Sequence, residues 1–93
     1  MNDALTMIRR RFRERCVADL VQVRSRLAQA PTAPDVDFHT RIHQIAGLAG
    51  SIGFDRLSEI AIAANETIRK EGHASLEELA LLETALEEVV RLT

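Results

Sequence analysis

With 93 residues, the chain is long enough for one domain and too short for two. Hydrophobic residues make up 46% of the sequence and aromatic residues only 3%, a balance that favours packed helices over sheet. The formal net charge of −2 argues against a general nucleic-acid binder, and no segment approaches the run of about 20 apolar residues that spans a membrane. The N-terminus is charged rather than signal-like, so we expect a cytoplasmic monomer with one core over residues 1–93.

The first predicted helix, residues 3–30, carries a dense group of arginines. They are Arg9, Arg10, Arg11, Arg13 and Arg15. On a helix these side chains point in several directions, so pairing with acidic residues elsewhere in the fold explains them better than a nucleic-acid site does. The single cysteine, Cys16, lies on the apolar face of the same helix and is expected to be an unreactive core residue.

Four segments in all place apolar residues at spacings of three and four, the periodicity of amphipathic helices. They are residues 3–30, 37–52, 55–71 and 75–92. Their apolar positions are Leu5, Ile8, Phe12, Cys16, Leu20, Val23 and Leu27 in the first; Phe38, Ile42, Ile45, Ala49 and Ile52 in the second; Leu57, Ile60, Ala61, Ala64 and Ile68 in the third; and Leu76, Leu79, Leu82, Leu86 and Val89 in the fourth. Each helix has one apolar stripe that it cannot bury alone.

Residues that commonly begin or end helices separate these segments. They are Pro31 and Pro34 after the first helix, Asp35 or Asp37 before the second, Gly53 and Asp55 between the second and third, and Gly72 with a Ser75–Glu78 capping box between the third and fourth. Because the links are short, neighbouring helices run antiparallel, and the fold class is an all-α, up-down-up-down four-helix bundle. In this topology the arginine-rich first helix lies beside the glutamate-rich fourth, and their charges can pair along the rim.

The second helix carries the most informative residue, His43. It lies about 140° around the helix from the centre of the apolar stripe, so its ring is expected to face solvent. The neighbours on its own face are His39, Thr40, Ala46, Gly47 and Gly50. A glycine in an exposed helix interior costs about 1 kcal/mol relative to alanine. Gly47 is therefore best explained by a partner that brings its own backbone and reactive group close to the imidazole.

This segment resembles the histidine-phosphotransfer (Hpt) domain family of multistep His-Asp phosphorelays. The pattern His43-x-Ile45-x-Gly47, followed by Gly53 and Leu57, is similar to the family signature. The resemblance implies a carrier that accepts a phosphoryl group on Nε2 of His43 from an aspartyl phosphate of a response-regulator receiver domain and passes it to another receiver. Such a role suits an exposed imidazole, which is partly neutral near pH 7 and can act as a nucleophile without a dedicated base.

The same resemblance implies the partners and what they supply. Receiver domains and a hybrid histidine kinase are the expected partners, with Mg²⁺ in the receiver and no cofactor, metal or nucleotide site in the chain itself. The chain is therefore expected to be a phosphoryl carrier and not an enzyme, without nucleic-acid or membrane contacts. The expected docking residues around His43 are His39, Thr40, Gln44, Ala46, Gly47 and Gly50. The chain departs from the family pattern at Ala46, where a lysine that would offset the phosphoryl charge is common.

Two other functions are compatible with these residues. The domain could bind a receiver or kinase as an interaction module without carrying phosphate, and labelling of His43 distinguishes this function from a carrier. The second alternative is a metal site, because His39 and His43 lie four residues apart on one helical face. The remaining histidine, His73, lies in the link between the third and fourth helices, so further ligands have no obvious source.

Overall fold

The computed structural model describes residues 3–29 and 36–92. These residues form four α-helices, with no strand among them: α1 (Asp3–Ala28), α2 (Val36–Ser51), α3 (Asp55–Glu71) and α4 (Leu76–Arg91). Helix α2 packs against α3, α3 against α4, and α4 against α1, so the helices form the predicted all-α bundle. The observed helix ends lie no more than two residues from the predicted ones.

Glycines follow two of the helices, as predicted. Gly53 follows α2 with a φ of +95°, and the amide of Phe54 donates back to the carbonyl of Ala49 at 2.8 Å. Gly72 follows α3 with a φ of +88°, and its own amide donates to the carbonyl of Ile68 at 2.8 Å. A residue with a β-carbon is strained at such positive φ values, so both turns depend on glycine.

The predicted starts of the helices are confirmed only in part. The capping box of α4 is present, since Ser75 and Glu78 each accept a hydrogen bond of 3.0 Å from the other's backbone amide. Asp37 and Asp55 are wrong as caps, because each lies inside the first turn of its helix, where its charge complements the helix dipole instead. Three further predicted boundary residues lie outside the described ranges: Pro31, Pro34 and Asp35.

The core is built from the apolar stripes of all four helices. Its largest fully buried side chains are Ile42, Ile45, Leu57, Leu79, Leu82, Leu86, Val23 and Cys16. Burial raises the pKa of the Cys16 thiol to about 12, which agrees with the prediction of an unreactive core cysteine. Two predicted core positions are wrong, since Ile8 is 49% exposed and Leu76 is 54% exposed. Ile8 borders an open groove between α1 and α2, and Leu76 is the first residue of α4.

Helices α2 and α3 approach each other closely around one serine. The buried hydroxyl of Ser58, on α3, donates to the carbonyl of Ala46, on α2, at 2.9 Å. A β-carbon built onto Gly50 would lie only 2.9 Å from the same hydroxyl oxygen. Gly50 therefore has a packing role inside the domain, because a side chain there would displace Ser58 from its hydrogen bond.

A buried ion pair joins α1 to α2. The Arg41 guanidinium donates from Nε and Nη2 to the two carboxylate oxygens of Asp19, both at 2.8 Å. Only 15% of the Arg41 side chain and 6% of the Asp19 side chain are exposed. This bidentate geometry satisfies both charged groups away from bulk water, which a buried pair requires.

Two arginines of the cluster at the start of α1 contact backbone carbonyls instead of glutamates. Arg9 donates from Nε to the carbonyl of Ile52 at 2.8 Å, and Arg13 donates to the carbonyl of Leu92. These acceptors lie just beyond α2 and α4, where helix carbonyls lack intrahelical partners. Along the described ranges, none of the five arginines between residues 9 and 15 forms an ion pair. The prediction that rim ion pairs account for this cluster is wrong.

The rim between α1 and α4 does carry ion pairs, made by an arginine outside the cluster. Arg24 contacts Glu83 at 3.0 Å and Glu87 at 2.8 Å. The predicted adjacency of the basic first helix and the acidic fourth is therefore confirmed. Such exposed pairs stabilise a fold by only about 0–1 kcal/mol each.

The buried ion pair generates the first prediction. Asp19→Ala leaves Arg41 buried without a carboxylate and should lower the free energy of unfolding by about 3 kcal/mol. The double variant Asp19→Leu/Arg41→Met removes both charges and roughly keeps the side-chain volume, so its stability should stay close to that of the natural chain. Urea unfolding followed by circular dichroism measures the free energy of unfolding of both variants. Equal losses in the single and double variants would contradict this account of the pair.

A second prediction compares two glycines of α2. Gly50→Ala should destabilise the domain by about 1–3 kcal/mol, because the added methyl group pushes Ser58 off the Ala46 carbonyl. Gly47→Ala should stabilise it by up to about 1 kcal/mol, because a β-carbon there meets no atom within 4 Å and alanine favours helix. Adding Ser58→Ala to Gly50→Ala should recover most of the loss. Urea unfolding of these variants tests the idea, and similar effects of the two glycine changes would refute it.

Candidate functional site

His43 lies on the surface of α2, at the edge that faces α3. Its side chain is exposed, which confirms the position predicted from the helical periodicity. Its Nδ1 lies 3.4 Å from the amide nitrogen of Asn65, a half-buried residue of α3. The contact engages Nδ1 and leaves Nε2 without a hydrogen bond to any described residue. The ring is therefore exposed and is held by one contact, at Nδ1.

The surface beside His43 is open at Gly47. Nothing lies within 4 Å of a β-carbon built at this position, so no contact inside the described parts of the domain requires glycine there. Gly50 differs, because its missing side chain makes room for Ser58. Of the two glycines predicted to line a docking surface, only Gly47 leaves space that nothing in the described structure fills.

The other predicted docking residues are exposed to different extents. Thr40 and Gln44 are exposed, and the Gln44 side chain accepts a hydrogen bond of 3.2 Å from Arg41. His39 and Ala46 are half-buried. The structure places all of these residues on α2 within about one turn of His43.

Asn65 is the residue of this site that the sequence patterns missed. It lies on α3, 22 positions after His43, and the two side chains meet only because α2 and α3 run antiparallel at close distance. One signal was available: asparagine is a weak helix former, and here it stands in the middle of a helix next to the core residue Ala64. The register of α3 against α2, which decides whether Asn65 reaches His43, could not be read from the spacing alone.

Charged side chains are sparse on α2 around His43. Arg41 is the single arginine or lysine of α2, and it is engaged by Asp19. On α3, Arg69 contacts the carboxylate of Glu66, with one of its hydrogen bonds from Nε at 3.3 Å. The Arg69 hydrogen bonds lower the pKa of the Glu66 carboxyl, with a further contribution from the Lys70 charge.

Neither a metal centre nor a membrane segment is visible along the described ranges. No three or more His, Cys, Asp or Glu side chains come close enough there to hold a metal ion, so His39 and His43 gain no further ligand from these residues. None of the four helices combines the length and the apolar character needed to cross a bilayer.

Comparison with known proteins identifies one family. A family model described as an Hpt domain matches residues 7–92, a range that includes α2, α3 and the contact between His43 and Asn65. Neither a curated protein nor a solved structure matches the chain. Because the family match covers nearly the whole sequence, the chain belongs to the Hpt domain family.

Proposed function

We propose that this Hpt domain carries a phosphoryl group on Nε2 of His43 in a two-component phosphorelay. It accepts the group from the aspartyl phosphate of one receiver domain and gives it to the aspartate of another. The family supports the general role, since Hpt domains are phosphotransfer modules of His-Asp phosphorelays. The observation that carries the assignment to His43 is its geometry. The imidazole is exposed, contacts Asn65 through Nδ1, and lies beside the open surface at Gly47.

The transfer step needs little from the carrier itself. The lone pair on Nε2 of His43 attacks the phosphorus of the aspartyl phosphate, the new N–P bond forms, and the P–O bond to the aspartate breaks. The aspartate leaves as a carboxylate. The ring keeps its proton on Nδ1 and becomes a phosphorylated imidazolium, so no base has to remove a proton. Transfer to the second receiver is the reverse of this step.

Asn65 suits the ring to this chemistry. Its amide lies against Nδ1, and half a rotation of that amide exchanges its nitrogen for its oxygen within the same contact. With the oxygen facing the ring, Asn65 accepts a hydrogen bond from Nδ1–H, and the free lone pair of neutral His43 is then on Nε2. The same oxygen stabilises the positive charge that the ring gains on phosphorylation.

We assign the remaining chemistry of the transfer step to the receiver domain. Charge stabilisation of the transferring phosphoryl group requires a metal ion or several cations. We assign this role to Mg²⁺ in the acidic pocket of the receiver, with a receiver of a hybrid histidine kinase as one donor. The open surface at Gly47 then allows the receiver backbone to approach the imidazole without meeting a side chain.

The proposed function predicts which residue takes up label. His43→Gln keeps a planar polar side chain on the exposed face but removes the nucleophilic nitrogen, so phosphoryl uptake should disappear while stability stays within about 0.5 kcal/mol. The assay incubates each variant with a receiver domain that carries a radiolabelled aspartyl phosphate, and thermal unfolding is recorded in parallel. Label that is acid-labile and alkali-stable identifies phosphohistidine.

Two further variants serve as controls. His39→Gln should keep at least part of the uptake, whereas Gly47→Arg should reduce it by blocking the partner while the fold persists. Uptake by His43→Gln, or its loss in folded His39→Gln alone, would show that His43 is not the carrier. A natural chain that binds the receiver but never becomes labelled would instead identify an interaction module.

A further inference from the structure

A phosphoryl group on His43 brings nearly two negative charges to a face of α2 that has no arginine or lysine. Phosphate monoesters carry about −1.5 to −2 at neutral pH, and such groups are stabilised by charge-assisted hydrogen bonds. The neighbours of His43 one turn away on α2 are His39, Thr40, Ala46 and Gly47, none of them an arginine or lysine. The single arginine of α2, Arg41, is held by Asp19 on the opposite flank, which faces α1.

Helix α3 carries an arginine on the face that reaches His43. The contacts of His43 with Asn65 and of Ala46 with Ser58 fix the antiparallel register of α3 against α2. Arg69 lies four residues after Asn65 and therefore shares its face of α3. Four residues along a helix span about 6 Å, a distance that an arginine side chain can cover.

The other cations are less well placed. Lys70 lies about 140° around α3 from Asn65, so it projects from a different face. Arg15 borders the groove between α1 and α2, next to Arg41, on the flank away from α3. Residues 1–2, 30–35 and 93 contain no arginine or lysine. Arg69 is thus the cation that shares a helix face with the partner of His43.

The present contact of Arg69 can be exchanged. Arg69 pairs with Glu66 on the surface, where 67% of the Arg69 side chain and 47% of the Glu66 side chain are exposed. Exposed pairs of this kind are weak, so a doubly charged phosphoryl group competes well for the guanidinium. Glu66 would keep a second cation, because the ammonium of Lys70 lies 3.8 Å from its carboxylate.

We propose that Arg69 leaves Glu66 when His43 is phosphorylated and donates hydrogen bonds to the phosphoryl oxygens. This inference rests on the proposed carrier function and assigns to α3 the charge stabilisation that α2 lacks at Ala46. Arg69 then binds the phosphoryl group directly and favours the phosphorylated form of the carrier. Lys70 limits the cost of the exchange by staying with Glu66.

The test uses the full chain phosphorylated directly with phosphoramidate, so that no cognate partner is needed. Phosphorus NMR follows the phosphoryl signal through a pH titration. The group that titrates is the phosphorylated imidazolium, and a neighbouring guanidinium lowers its pKa because it disfavours a second positive charge. Arg69→Gln should therefore move the midpoint upward by about one pH unit, equivalent to a tenfold change in the proton affinity of the ring. Arg69→Lys should restore part of the shift, because it restores the charge without the bidentate geometry.

The controls remove cations that do not share this face. Arg56 lies about 180° around α3 from Asn65 and pairs with Glu88. Arg56→Gln and Arg15→Gln should leave the midpoint within about 0.3 pH unit of the natural chain, and thermal unfolding verifies that all variants are folded. An unchanged midpoint in Arg69→Gln, or an equal shift in Arg56→Gln, would overturn the assignment of Arg69 while leaving His43 as the carrier. If the natural chain acquires no phosphohistidine from either phosphoramidate or a phosphorylated receiver, the carrier function itself is wrong, and this inference with it.

Discussion

The site depends on the close packing of α2 against α3 at Ser58. Its hydroxyl reaches the Ala46 carbonyl, and the absence of a side chain at Gly50 lets the two helices approach. This contact sets which residue of α3 stands opposite His43. A shift of one residue along α3 would rotate Asn65 by about 100° away from the ring. The chemistry at the surface is therefore governed by a packing detail one to two helical turns away from it.

Four of the eleven arginines contact the fold instead of the candidate site. Arg9 and Arg13 donate to backbone carbonyls just beyond the ends of α2 and α4. Arg24 forms ion pairs that join α1 to α4, and Arg41 forms an ion pair with Asp19. The basic character of α1 thus says little about which molecules the protein binds. The helix face on which an arginine or lysine lies indicates whether it can reach a phosphoryl group, and the number of such residues in the sequence does not.

Helical periodicity was sufficient to predict the four helices and the exposure of His43, because both follow from the phase of one stripe within one helix. Contacts between helices were not predictable in the same way. The contact of Asn65 with His43 and the packing role of Gly50 depend on the register between helices. The contacts of the α1 arginines depend on backbone carbonyls. Neither produces a periodic pattern in the sequence. Ile8 was misassigned for a related reason, since its stripe meets an open groove between α1 and α2.

The exposed position of His43 on α2 also limits the order in which partner proteins can dock. A single exposed imidazole offers one docking place, so in the proposed relay a donor and an acceptor must occupy it in turn. Each cycle then includes the departure of one protein before the arrival of the next. Under these conditions prolonged residence of either partner slows the flow, and selection would favour rapid release over tight association.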